Sequence, residues 1–168
     1  ALALDAAAAA GVVPVVAAGN DFNDLGAGSV SSPANSARAI TVAAVDIAGS
    51  RRVHADFFSV GPTTLSLRMK PDVAAPGVDV TSSVPQGWAG SSGTSMASPH
   101  IAGAAALLVQ RHPAWTVAQV KSALVQTGVD SLNLNGERAA PTVQGGGVVE
   151  LTAADQPLLF ATPSGVSL

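Results

Sequence analysis

Gly93-Thr94-Ser95-Met96-Ala97-Ser98-Pro99-His100-Ile101-Ala102-Gly103, running on into Ala104-Ala105-Ala106-Leu107-Leu108-Val109, is the stretch that decides how this chain is read. Gly93 permits a tight backbone turn, and Thr94 or Ser95 can start a helix. The Ala- and Leu-rich run after Pro99 has high helix propensity and an apolar surface suited to burial. A serine hydroxyl therefore sits at the amino end of a buried helix, where free N–H groups and the positive end of the helix dipole favour negative charge. An oxyanion formed by attack of Ser95 on a carbonyl would be stabilised there, so the pattern suits acyl transfer. A serine so placed can also do no more than cap a core helix.

The length of the stretch separates these readings. Residues 93–103 resemble, almost residue for residue, the nucleophile segment of the subtilisin-like serine peptidases. They differ from the Gly-x-Ser-x-Gly elbow of α/β-hydrolases, because Ala97 stands where that motif has its second glycine. The resemblance implies a three-layer α/β/α fold with a mostly parallel sheet and a serine endopeptidase acting on a polypeptide substrate. It also implies Ser95 as nucleophile and a secreted or cell-surface location.

Residues 1–10 read as the end of a helix stopped by Gly11, and Val12 to Ala17 as a buried strand weakened by Pro14. The strand closes on Ala17-Ala18-Gly19-Asn20. An asparagine at a strand end commonly forms a turn. In the resembling family a strand ending Ala-Gly-Asn delivers the Asn amide to the oxyanion hole. The resemblance thus pairs the Asn20 amide with the Ser95 backbone N–H and gives Thr94 a supporting role. Asp21 to Pro33 reads as a loop and Arg38 to Val45 as a β-branched strand. By resemblance, Ala17, Ala18 and Gly19 line one side of the substrate pocket, with Ser31 and Ser32 near its base. None of these is charged, so a small or apolar substrate side chain is expected.

Phe57-Phe58-Ser59-Val60-Gly61-Pro62 and Lys70-Pro71-Asp72-Val73-Ala74-Ala75-Pro76-Gly77-Val78 resemble scaffold motifs of the same family. No cofactor is required by the chemistry. Asp72, with the carbonyls of Ala34, Ser36 and Ala39, could by resemblance hold a weakly bound Ca²⁺ or Na⁺; its other reading is a hydrogen-bonded turn residue. Residues 78–84 read as a strand, and Pro85 to Gly93, containing Trp88, as a loop bordering the leaving-group side of the cleft. Thr116 starts a helix over Val117 to Gln126, whose apolar spacing predicts one packed and one wet face. Gly145 to Val149 resembles the family's closing hairpin, and Glu150 to Asp155 reads as a short final helix. The expected organisation is a peptidase-domain part over 1–155, followed at 156–168 by a linker or the start of a β-domain.

Composition agrees. The 168 residues are 48% hydrophobic and only 11% charged, as expected of a sheet covered on both faces. A net charge of −3 with scattered Lys and Arg supplies no footprint for nucleic acid. The apolar run from Ala6 to Gly19 is broken by Gly11 and Pro14 and falls short of the ~20 residues a membrane span needs. With no cysteine there are no disulfides and no thiol chemistry.

A serine nucleophile needs a general base and a carboxylate to orient it. His100 lies five residues after Ser95, about 500° around a helix, on another face. His112 is 17 residues on, roughly 25 Å along it. His54, in Val53-His54-Ala55-Asp56, lacks the Gly-Thr-His of the family's base segment. The family order is Asp, His, Asn, Ser. The resemblance therefore places this chain in the carboxyl-terminal half of the catalytic domain, with acid and base expected from an amino-terminal half and the chain alone expected inactive. Two alternatives are a non-catalytic binding module with the same fold, and an esterase-type hydrolase using His54 with a local Asp.

Overall fold

Every residue of Ile40-Thr41-Val42-Ala43-Ala44-Val45 is buried, those facing up and those facing down alike. Successive strand side chains point to opposite faces, so a strand with no wet residue lies in a sheet covered on both sides. The computed structural model describes residues 1–49 and 51–165. In chain order the elements are α1 (Leu2–Ala9), β1 (Val15–Ala17), α2 (Phe22–Leu25), β2 (Ile40–Asp46), β3 (Val53–His54), β4 (Val73–Pro76), β5 (Val80–Val84), β6 (Gly87–Ser91), α3 (Thr94–Arg111), α4 (Val117–Gln126), α5 (Pro141–Gln144) and α6 (Leu151–Asp155).

Strand β2 is the middle of the sheet. It runs parallel to β1, with Val42 beside Ala17, and parallel to β4 on its other edge, with Val42 beside Val73. The two-residue β3 pairs antiparallel where β1 has ended, with His54 opposite Val45. The fold is the expected α/β/α arrangement with a mostly parallel sheet. Helix α3 lies across β1, β2 and β4 and turns Ala97, Ile101, Ala104, Ala105 and Leu108 inward, at steps of three or four residues. Alanines on both surfaces let the helix axis approach the strands closely. Ile101 and Leu108 fill what remains, each contributing roughly 1.5–3 kcal/mol by burial. Its opposite face stays exposed, Leu107 and Val109 included, so the expected burial holds for one side only.

Several local expectations are corrected. The first strand begins after Pro14, whose carbonyl accepts from Ile40 N–H, because a residue without N–H can start a ladder but not continue one. The 21–33 loop contains the single turn of α2. Residues 85–93 are not a loop: β6 pairs antiparallel with β5 around Pro85-Gln86, and Trp88 sits exposed on that hairpin. Pro85 followed by Gln86 at φ +75° is the geometry of a type II turn. The closing segment is the short α5 and isolated bridges from Val148 to Ala74 and Val129 rather than a hairpin. Helix α4 has the expected bounds and a Thr116–Gln119 capping box, but Val120 to Val125 are all buried, Lys121 among them.

Residues 156–165 lie against α4. Ser122 Oγ accepts from Ala161 N–H at 2.8 Å, Gln126 Nε2 donates to the Ser164 carbonyl at 2.8 Å, and Phe160 meets Trp115 edge-on at 5.0 Å. The rest of the expected linker, 166–168, lies outside the described residues. Asp155, ending α6, accepts from Arg111 Nε at 2.7 Å and bonds His112 Nε2 at 2.8 Å, joining the end of α3 to α6. The hydrogen bond from Arg111 leads the causes that hold its carboxyl below its usual range. A carboxylate with a lowered folded-state pKa stabilises the fold above the unfolded value of 3.8 and loses that contribution as the pH falls through the folded one. Asp155→Asn should therefore lower the melting midpoint near pH 7, and the difference from the parent chain should shrink as the pH falls below 3.8, which paired thermal melts detect.

Candidate active site

Three segments far apart in sequence meet at the start of α3. Strand β1 delivers Gly19 and Asn20. Gly19 has φ +106°, and a Cβ there would lie 2.7 Å from Ser59 Oγ, so only glycine makes this turn. The second segment is the turn after β4, where Gly77 N–H donates to Val45 O at 3.0 Å and Gly77 O accepts from Gly93 N–H at 2.8 Å. The third is the beginning of the helix itself. The sheet thus fixes the backbone on either side of Ser95.

Hydrogen bonding settles which way the Asn20 amide points. A backbone N–H can only donate, and Thr94 N–H donates to Asn20 Oδ1 at 3.1 Å. The Thr94 hydroxyl donates to the same oxygen at 3.1 Å and accepts from Gly19 N–H at 3.3 Å. Thr94 is fully buried, so its side chain couples the strand end to the helix start. Asn20 Nδ2 is left facing outward. In the first turn of α3, Thr94, Met96 and Ala97 N–H have acceptors, whereas Ser95 N–H has none among the described residues. The position a Cβ on Gly93 would take lies 3.4 Å from Asn20 Nδ2 and 3.7 Å from Ser95 N. Two unengaged N–H donors therefore face one small space beside an exposed serine.

The other expected site residues are placed less uniformly. Ala17 and Gly19 are half-buried, but Ala18 is 2% exposed, so its side chain belongs to the core and only its backbone can face a pocket. Ser31 and Ser32 are exposed. Ser32 Oγ accepts from the Ala1 amino group at 3.4 Å, and the Ser31 carbonyl caps Asn35 N–H at 3.0 Å. No histidine among the described residues bonds the Ser95 hydroxyl. His54 Nδ1 lies 3.0 Å from its neighbour Ala55 O with its ring on Phe58, His100 Nδ1 lies 2.9 Å from Met96 O, and His112 is stacked on Trp115 beside Asp155.

Asp72 is engaged by protein donors on both oxygens. Its Oδ2 accepts from Lys70 Nζ at 2.5 Å and from Thr41 N–H at 2.7 Å, and its Oδ1 pairs with Lys121 Nζ at 2.8 Å. The Ala39 carbonyl, another expected ligand, accepts from both lysines at 3.1 and 2.9 Å. The Ala34 carbonyl is taken by Thr41 Oγ1 at 2.6 Å. Asp72 and the Ala34 and Ala39 carbonyls are thus already engaged by protein donors, and no step of the chemistry is routed through a metal ion. Burial of two ammonium groups against one carboxylate pushes Lys70 down to about 8, desolvation outweighing the attraction of Asp72. Sequence reading missed both lysines; the signal available was Lys-Pro-Asp itself, which sets opposite charges two residues apart at a strand start.

Comparison with known proteins bears on the family and the fold. The pattern of the Subtilase family (Peptidase S8) matches residues 1–147. The chain is 42% identical over 125 residues to subtilisin NAT of Bacillus subtilis subsp. natto, covering 74% of this chain and 30% of that protein. It is 38% identical over 120 residues to the minor extracellular protease Vpr of Bacillus subtilis, covering 67% of this chain and 15% of Vpr. Among solved structures, fervidolysin from Fervidobacterium pennivorans, a keratinolytic enzyme related to subtilisin, superposes with a TM-score of 0.73 at 31% identity, over 92% of this chain and 24% of that one. The chain thus spans less than a third of the length of each of these three.

Proposed function

Since the chain belongs to the subtilase family, we propose that it carries the nucleophile and the oxyanion-binding groups of a secreted serine endopeptidase. In this reading Ser95 Oγ attacks the carbonyl carbon of a peptide bond and passes its proton to a general base. The carbonyl oxygen, now negative, sits between Asn20 Nδ2 and Ser95 N–H. Collapse of the tetrahedral species expels the amine, which takes that proton, and leaves an acyl-Ser95 ester for water to cleave. Thr94 holds the Asn20 amide in its donating orientation, and the uncharged backbone at Ala17 to Gly19 favours a small or apolar substrate residue. Among the described residues no histidine is placed to be the base. The reading therefore assigns base and orienting carboxylate to polypeptide outside this chain, and the chain alone should show negligible turnover.

The observation that supports it is the shared point between Asn20 Nδ2 and Ser95 N beside an exposed hydroxyl. The experiment is fluorophosphonate labelling and casein hydrolysis by the chain joined to the remainder of a subtilase catalytic domain, with the adduct located by peptide mapping. An adduct on Ser95 supports the assignment, and cleavage that persists in Ser95→Ala overturns it. The His54 reading gains nothing from the geometry, since His54 Nδ1 lies against Ala55 O and its ring meets Phe58 edge-on.

Gly93 gives a separate check. A methyl there would make ordinary contacts of 3.4 to 3.7 Å, so the fold should survive despite the strained φ of +154°. The same methyl would occupy the oxyanion position. Gly93→Ala should lower kcat by about tenfold to a hundredfold with little change in KM, less than outright loss of a donor.

A further inference from the structure

We propose that Lys70 and Lys121 act as tethered cations, supplying to Asp72 and to the carbonyls before β2 the positive charge a metal ion would bring, so that this part of the chain binds neither Ca²⁺ nor Na⁺. Charge and coordination carry the argument. A hard cation needs several oxygen ligands presented together. Here the two Asp72 oxygens and the Ala39 carbonyl converge, but on two ammonium groups. Lys121 Nζ donates to Ala37 O at 3.1 Å and Ala39 O at 2.9 Å and is ion-paired with Asp72 Oδ1 at 2.8 Å. Lys70 and Lys121 are 1% and 7% exposed, so both charges are held inside the protein rather than resting on its surface.

The connectivity shows what the two ammonium groups hold. Lys121 belongs to α4, Lys70 lies three residues before the start of β4, and the carbonyls of Ala37 and Ala39 lie just before β2. The β2–β4 ladder already joins two of these segments, with Asp72 N–H donating to Thr41 O at 2.8 Å, and the carboxylate with its two lysines ties α4 to that pair. A metal ion would do the same work with exchangeable affinity; the lysines are covalently part of the chain. The surroundings also oppose a free cation. A cavity of about 740 Å³ opens onto the cluster, and Arg38 and Arg68 line it together with the two lysines, so an approaching metal ion meets positive charge. Two ammonium groups facing one carboxylate leave the cluster with a net positive charge of its own.

The test is the melting midpoint of the chain, at one ionic strength, in choline chloride with chelator, in NaCl, in CaCl₂ and in methylammonium chloride. The parent chain should give the same midpoint in all four, and calorimetric titration with CaCl₂ should show no binding lost in Asp72→Asn. Lys121→Ala, which breaks a buried pair, should melt about 10 °C lower in choline. It should recover part of that loss in Na⁺ or methylammonium, which can reach Asp72 through the cavity. If Lys121→Ala fails to fold, Lys121→Arg should retain the cation-independent midpoint while Lys121→Gln, of similar size and still a donor, should not. A parent midpoint raised by Ca²⁺ or Na⁺ over choline overturns the proposal. So does a Lys121→Gln chain that melts like the parent, or a folded Lys121→Ala chain whose midpoint is blind to the cation supplied.

Discussion

Replacing Ser95 by alanine should lower peptide-bond hydrolysis by about 10⁶-fold once the chain is supplied with a general base, the size of loss measured when subtilisin itself is stripped of its nucleophile. What makes the result interpretable is that the fold should not notice. Ser95 is exposed, its hydroxyl has no partner among the described residues, and the helix start is anchored instead by Thr94 and by the Gly77–Gly93 hydrogen bond. Alanine is also the better helix former. The melting midpoint should move only slightly, as surface substitutions generally do. A residual rate above the uncatalysed one should remain, because the donors facing the oxyanion are untouched. A fluorophosphonate probe should label the parent assembly and not the variant. Equal labelling of both would place the nucleophile elsewhere.

Removing the Asn20 donor should cost about 10²- to 10³-fold in kcat, with KM nearly unchanged, again the size measured for this kind of donor in subtilisin. A loss in Asn20→Ala would be ambiguous, because Asn20 Oδ1 also accepts from Thr94 N–H and Oγ1. Asn20→Asp separates the two roles. An aspartate keeps an oxygen for both Thr94 donors, so the helix start should stay intact. It offers no N–H, however, and it sets a negative charge beside the developing oxyanion. The expected outcome is a parent-like melt with turnover at least as low as in Asn20→Ala. An Asn20→Asp enzyme with full turnover would reduce Asn20 to a helix cap.

How much of this was legible in the sequence follows from where the determinants lie. The long helix and its ends were readable because Gly93, Thr94 and the run to Arg111 act locally, through turn, start and propensity. Helix α4 was equally plain, since Thr116 and Gln119 form a cap within four residues. The meeting of Asn20 with the start of α3 was not local. It depends on contacts 74 residues apart, and only the resemblance to a known family brought the two together. The same distance hid the lysines: periodicity predicted a wet face on α4, yet Lys121 reaches carbonyls 82 and 84 residues away. The β6 strand was missed because Gly87, Gly90 and three other small or exposed residues carry no alternation. Pro85-Gln86-Gly87 was a turn signal all the same.

That hairpin is exposed from Thr81 to Ser91 and is clamped at its root, where Gly93 N–H meets Gly77 O and Asp79 N–H meets Ser92 Oγ at 2.9 Å. Lengthening a closed loop costs little, about 0.6 kcal/mol for each doubling. Foreign sequence spliced between Pro85 and Gln86 would therefore extend a limb whose base is already fixed, leaving Ser95 where it stands. The tip of β5–β6 is accordingly the place to graft an epitope or an affinity handle.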